Sequence, residues 1–277
     1  MRALCHQEVV GVRFVIGLLV VTGAMATSGQ AGVTCSDAEY KGAYAFSATG
    51  TLLQLPPEGK ALLGAFSQSG RFLPDGHGKL FIETNASYNG IVINGDHPAT
   101  YRVTPDCLIH FDLTLPFPLS VPSKFVGVLG ENGKYMSLLL TEPTGTVIKG
   151  NHVRQDVTFC GPADFNGGYS IDLRGSTNVP AALAGRFQQI GRIFADGNGG
   201  FTGTSTANFN GRPVRDQISG TYQVSSKCYV TLRYKTATTG TESIVIQGAI
   251  GGHGEVVQVM ILNDGWGVAG SLIRQQE

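Results

Sequence analysis

The chain carries the same module twice, and this duplication limits what it can fold into. Residues 35–155 and 160–275 overlay almost without gaps. Cys35 to Tyr44 reads C-S-D-A-E-Y-K-G-A-Y, and Cys160 to Tyr169 reads C-G-P-A-D-F-N-G-G-Y. Residues 61–78 (A-L-L-G-A-F-S-Q-S-G-R-F-L-P-D-G-H-G) return at 182–199 as A-L-A-G-R-F-Q-Q-I-G-R-I-F-A-D-G-N-G. Y-R-V-T-P-D-C (101–107) returns as Y-Q-V-S-S-K-C (222–228). Both copies must satisfy one architecture, so every local reading is checked twice.

Residues 1–31 read as a signal peptide. Arg2 and Arg13 flank the start of an apolar run at 14–21, and Ala24-Met25-Ala26 or Gly29-Gln30-Ala31 supplies a small-residue cleavage pattern. The run is shorter than the span of about 20 residues that a membrane helix needs. The expectation is a secreted or periplasmic protein with no transmembrane segment after cleavage. The remaining length of about 245 residues divides naturally into two domains of roughly 120, each large enough for its own core. The boundaries expected are 32–157 and 158–277, joined by a short linker at 155–159. Formal net charge is zero and only 14% of residues are charged. No basic stripe is present, which excludes nucleic acid as a partner.

Cys5 leaves with the signal peptide. The other four cysteines, Cys35, Cys107, Cys160 and Cys228, sit at equivalent places in the copies. Four cysteines allow three pairings, and duplication selects Cys35 with Cys107 and Cys160 with Cys228. The short C-x2-C pairs of a zinc site are missing.

Helix signals are nearly absent. Apolar and polar residues alternate at 101–104, 108–115 (L-I-H-F-D-L-T-L), 222–225 and 229–234, the period of a strand with two distinct faces. Turn residues interrupt these runs at Pro56-Pro57, Asp75-Gly76, Asn89-Gly90, Asn132-Gly133, Asp196-Gly197, Asn210-Gly211 and Gly251-Gly252. The first copy would use strands at about 42–50, 61–72, 79–87, 90–95, 99–104, 108–115, 123–130 and 134–141, closing at 146–154. The D-G-x-G motif at 75–78 and 196–199 reads as a hairpin turn, since calcium-loop spacing is absent. The fold class expected is all-β, as two tandem antiparallel eight-stranded barrels.

Each copy opens with glycine-x-aromatic (Gly42-Ala43-Tyr44, Gly167-Gly168-Tyr169) and closes with an arginine (Arg154, Arg274). This resembles the calycin pattern of lipocalins and avidins, in which G-x-W packs under a basic side chain and plugs one mouth of an eight-stranded barrel. Tyrosine replaces tryptophan here. The resemblance implies a barrel-closing role for Tyr44, Arg154, Tyr169 and Arg274.

Residues shared by both copies are mostly glycines, turn residues, aromatics and cysteines, the vocabulary of a scaffold. Among polar survivors, Arg71 and Arg192 follow Q-x-G. Turned inward, an arginine would suit a carboxylate ligand, while the plainer alternative is an ion pair or a solvated position. Histidines do not survive duplication. His110 and Asp112 lie on one strand face, and His97 would have to join them to build a catalytic or metal cluster. No G-x-S-x-G elbow or phosphate-cradling loop is present. Asn85-Ala86-Ser87 is a formal glycosylation sequon. The one tryptophan, Trp266, reads either as a contact residue or as packing on a barrel mouth.

The function expected first is a secreted non-catalytic protein that binds a small apolar or amphipathic ligand. The alternatives are a structural or cell-surface interaction protein with filled barrels, and a cyclase- or isomerase-like enzyme with an apolar cavity. The reading leans away from an enzyme, with no cofactor, no metal and no assigned catalytic residue. An outer-membrane barrel of sixteen strands is disfavoured because the chain ends in R-Q-Q-E, without a terminal aromatic.

Overall fold

The computed structural model describes residues 34–55, 57–115, 120–236 and 243–276. The segment read as a signal peptide lies outside them. The first copy forms β1 (Ala43–Leu52), β2 (Gly64–Pro74), β3 (Lys79–Tyr88), β4 (Ile91–Val103), β5 (Leu108–Thr114), β6 (Pro122–Gly130), β7 (Tyr135–Glu142) and β8 (Thr146–Gln155). The second forms β9 (Asn166–Thr177), β10 (Gly185–Asp196), β11 (Gly200–Phe209), β12 (Arg212–Val224), β13 (Tyr229–Lys235), β14 (Ile244–Gly251), β15 (Val256–Ile261) and β16 (Trp266–Arg274). Each set closes into an antiparallel barrel, β1 pairing with β8 and β9 with β16.

The segments expected as separate strands at 90–95 and 99–104 are one strand, β4. Pro98, which lies between them, pairs only with Phe81 of β3, and β5 joins β4 no earlier than Ala99. A missing N–H is harmless where a strand has one neighbour. At the D-G-x-G hairpins, the Asp75 carboxylate accepts the amides of His77 (2.7 Å) and Lys79 (3.0 Å), and Asp196 does the same for Asn198 and Gly200. Cys35 is bonded to Cys107 and Cys160 to Cys228, so each module is stapled to itself.

Alternation places one apolar core inside each barrel. Phe46, Phe66, Phe72, Ile82, Phe111 and Leu138 fill the first; Ile171, Leu173, Ile193, Phe209, Leu232 and Trp266 belong to the second. The two barrels also pack against each other through outward side chains. Ser47 donates to the Gln258 side chain (2.5 Å) and Ser69 to its carbonyl (2.8 Å). Ser87 donates to the Trp266 carbonyl, and Gln155 to that of Ile250. Glycine lets the backbones meet at the edge of this seam. The Gly265 amide donates to the Gly90 carbonyl, and a Cβ on Gly90 would stand 2.6 Å from the Gly265 backbone.

The seam is asymmetric. It joins the outer face of β1–β3 to the outer face of β14–β16, two different faces of the same repeat. At the register-equivalent positions, Ser47, Ser67 and Ser69 of the first copy correspond to Asp172, Gln188 and Ile190 of the second. Small residues thus line the contacting face, and bulky ones cover the same face where it meets solvent.

Candidate functional site

One end of each barrel is shut. In the first, a short 3-10 turn at Asp37–Glu39 delivers Tyr40 beneath Tyr44, with ring centroids 4.6 Å apart and Tyr101 standing edge-on. The Tyr101 hydroxyl donates to the Tyr40 carbonyl and accepts the Gly76 amide. In the second barrel Phe165 stacks on Tyr169 (4.5 Å), with Tyr222 edge-on. The Arg274 guanidinium lies 5.6 Å over the Tyr169 ring and donates to the Asn166 carbonyl. Burial raises the Tyr44 hydroxyl to about 12, and Arg154 beside it pulls in the opposite direction. Tyr40 and Phe165, absent from the sequence expectation, complete this plug. Their signal was the aromatic four residues before Tyr44 and before Tyr169.

Among the described residues, apolar side chains pack inside both barrels. The first retains a void of about 20 Å³ among Phe46, Gln68, His97 and Phe111. That is room for one water and far below the few hundred Å³ of an ordinary ligand pocket. His152, fully buried on β8, points into the same lumen. Its Nδ1 lies 3.3 Å from the Tyr40 hydroxyl, its Nε2 has no partner among the described residues, and burial depresses its pKa to about 3. The second lumen has leucine there, Leu272.

The arginines do not point inward. Arg71 lies on the outer face of β2 in the seam, where it pairs with Glu83 (3.1 Å), donates to Gln155 (2.8 Å) and sits 5.9 Å over the Tyr229 ring of the second barrel. Arg192, its register equivalent, is exposed. Nor do the three candidates His97, His110 and Asp112 converge. The parity of the strands turns His97 into the lumen, whereas His110 and Asp112 point outward. Among the described residues no cluster of three or more His, Cys, Asp or Glu could hold a metal ion. Asn85 of the sequon is engaged in the seam, its Nδ2 donating to the Gln247 side-chain Oε1 (2.6 Å). Trp266 is buried against Phe187 and Phe209 at the barrel mouth.

Among the described residues, two of the open hollows on the outside are roomy enough for a small ligand. The first, about 500 Å³, lies on the side of barrel one where β4 runs on past the start of its pairing with β5. Its floor is Pro98, Ala99, Leu113 and Pro122, and Asp112 and the Lys124–Glu142 ion pair (3.0 Å) form its rim. His97 and Leu113 border both this hollow and the inner void. The His97 Nδ1 has no partner among the described residues, and burial holds the ring's pKa below its usual value. In barrel two the equivalent positions are Ile218 and Tyr234, both buried. The second hollow, about 450 Å³, lies in the seam between Asp96 and Asn94 on one side and Gln223 and Ser225 on the other.

No family model and no curated protein matches the chain. Two closed eight-stranded barrels are consistent with a tandem calycin-like arrangement.

Proposed function

We propose that this is an exported, non-catalytic binding protein whose first barrel holds a small amphipathic ligand in the side hollow, while the second barrel is a filled support. The observation that carries this reading is the meeting of hollow and lumen at His97 and Leu113. An apolar floor beneath a charged rim suits a ligand with an alkyl body and a polar head. The second copy has Ile218 and Tyr234 there, so the two barrels differ in side-chain chemistry at this place. The small void in the first lumen places the ligand on the wall rather than in the barrel interior, where such folds often keep one.

Calorimetric titration with dodecanoate and dodecanol tests this. Thr100 is exposed on β4 and lines the hollow, so Thr100→Trp fills it from outside without entering the core. Binding of either amphiphile is expected, weakened at least ~10-fold in this variant at an unchanged thermal midpoint. No binding to the parent protein, or equal binding to both, refutes the reading.

A second reading rests on Val128, Leu139 and Val147, which are 54%, 50% and 59% exposed on the outer faces of β6, β7 and β8. Such a patch suits a protein partner. It predicts that Val128→Ser with Leu139→Ser abolishes a protein complex and leaves amphiphile binding intact.

A further inference from the structure

We propose that the polar cleft in the seam is a second binding site, for a neutral polyhydroxylated ligand of the sugar class. The site exists only because the barrels are docked: β3 and β4 supply one wall, and β12, β13 and β14 the other.

The chemistry follows from charge and from unused hydrogen-bonding capacity. Glu83 accepts from Lys227 (2.8 Å) and Arg71 (3.1 Å). Asp96 stands beside Glu83 on the same wall, and Lys227 is the one cation among the lining residues, so the cleft is not built to hold an anion. Asn85, Gln247 and Thr231 form a hydrogen-bonded chain across the seam: Asn85 donates to Gln247, which donates 3.1 Å to the Thr231 hydroxyl. This chain fixes the floor. On the walls, Asn94, Asp96 and Gln223 have no hydrogen-bond or ion-pair partner among the described residues, and all three are exposed. A carboxylate accepts from two adjacent hydroxyls, and each amide both donates and accepts. That combination matches a ring of vicinal hydroxyls, each of which is itself donor and acceptor. An apolar ligand would leave these groups desolvated and unpaired, and a phosphate would face Glu83 and Asp96. The volume of about 450 Å³ is within the range of small-ligand sites.

Saturation-transfer NMR and calorimetry with glucose, galactose, mannose, N-acetylglucosamine and their disaccharides test the proposal, using the intact chain. Millimolar or tighter binding of at least one sugar is expected. Asp96→Ala and Gln223→Ala alter exposed side chains that hold nothing in place, so thermal midpoints stay constant. Each is expected to weaken sugar binding at least ~10-fold, and Thr100→Trp, on the far hollow, leaves it unchanged. Failure of every sugar to bind overturns the proposal, as does binding that both wall variants leave intact. Either failure leaves the amphiphile reading standing, because the two hollows share no lining residue.

Discussion

His152 makes the first barrel sensitive to acid. The ring is wholly buried, with Phe46 and Phe72 at 5.3 and 4.3 Å, and burial alone lowers its pKa from 6.5 to about 3. The folded state therefore binds fewer protons than the unfolded chain between these two values. Stability is complete above pH 6.5 and is lost as pH falls toward 3. At pH 5.0 the unfolded chain gains about RT ln(1 + 10^1.5), or ~2 kcal/mol, relative to pH 7.5, and the folded state gains almost nothing. Carboxylates titrate mainly below this window, which leaves histidines as the cause. His152→Leu installs the residue of the second copy. It sacrifices the contact with the Tyr40 hydroxyl, so its stability at pH 7.5 is not the informative quantity. The informative quantity is the loss between pH 7.5 and 5.0 in urea unfolding, which should shrink by ~2 kcal/mol. His97, also depressed by burial, contributes the same background slope to both proteins. An equal loss in parent and variant would show that His152 titrates normally and that the lumen is wet.

Two further outcomes follow from the architecture. Replacing Cys35 and Cys107 together by serine opens a loop closed over a separation of 72 residues and should cost about 4 kcal/mol in urea unfolding; a cost under ~1 kcal/mol would mean that the unfolded first module is already compact. Ser69→Ile transplants the side chain of Ile190 into the seam, where Ser69 is 2% exposed and donates to Gln258, and should cost about 2–3 kcal/mol, whereas Ile190→Ser at a 65% exposed position should stay within ~0.5; equal costs would refute the assignment of the seam.

The barrels themselves were legible because period-two alternation, Asp-Gly and Asn-Gly turns and the paired cysteines all occur twice and agree. The course of β4 was less so: Pro98 is a strand-breaking signal unless one knows that only β3 flanks it there. His152 had a readable cue that pattern alone obscures. Its counterpart, Leu272, is apolar, and a position that tolerates leucine in one copy is a core position in both. The seam was hidden for the opposite reason. Ser47 and Ser87 alternate with apolar residues as a solvated face would, Ser67 and Ser69 flank Gln68, and nothing local says that another sheet covers them. For the arginines parity gives two faces and does not say which is inside, and the plainer of the two readings holds: Arg71 is in an ion pair and Arg192 is exposed.

The asymmetric seam also explains how a duplicated barrel avoids growing without end. A contact between two different faces of identical units repeats into an open filament unless the rotation closes a ring, because each added unit leaves one copy of each face free. Here the free faces no longer match. Where Gly267 approaches Ala65 in the seam, a Cβ on that glycine would stand 3.0 Å from the alanine methyl. The register-equivalent residues on the two free faces are Val147 and Arg186. A second contact of the same geometry would drive a branched side chain into the space occupied by a long cation. Ile190 and Lys149 add bulk where the seam has Ser69 and Ala269. Divergence between the copies thus includes side-chain volume on the outer faces, while the hairpins and staples are retained. The two free faces therefore do not reproduce the small-against-small packing of this seam.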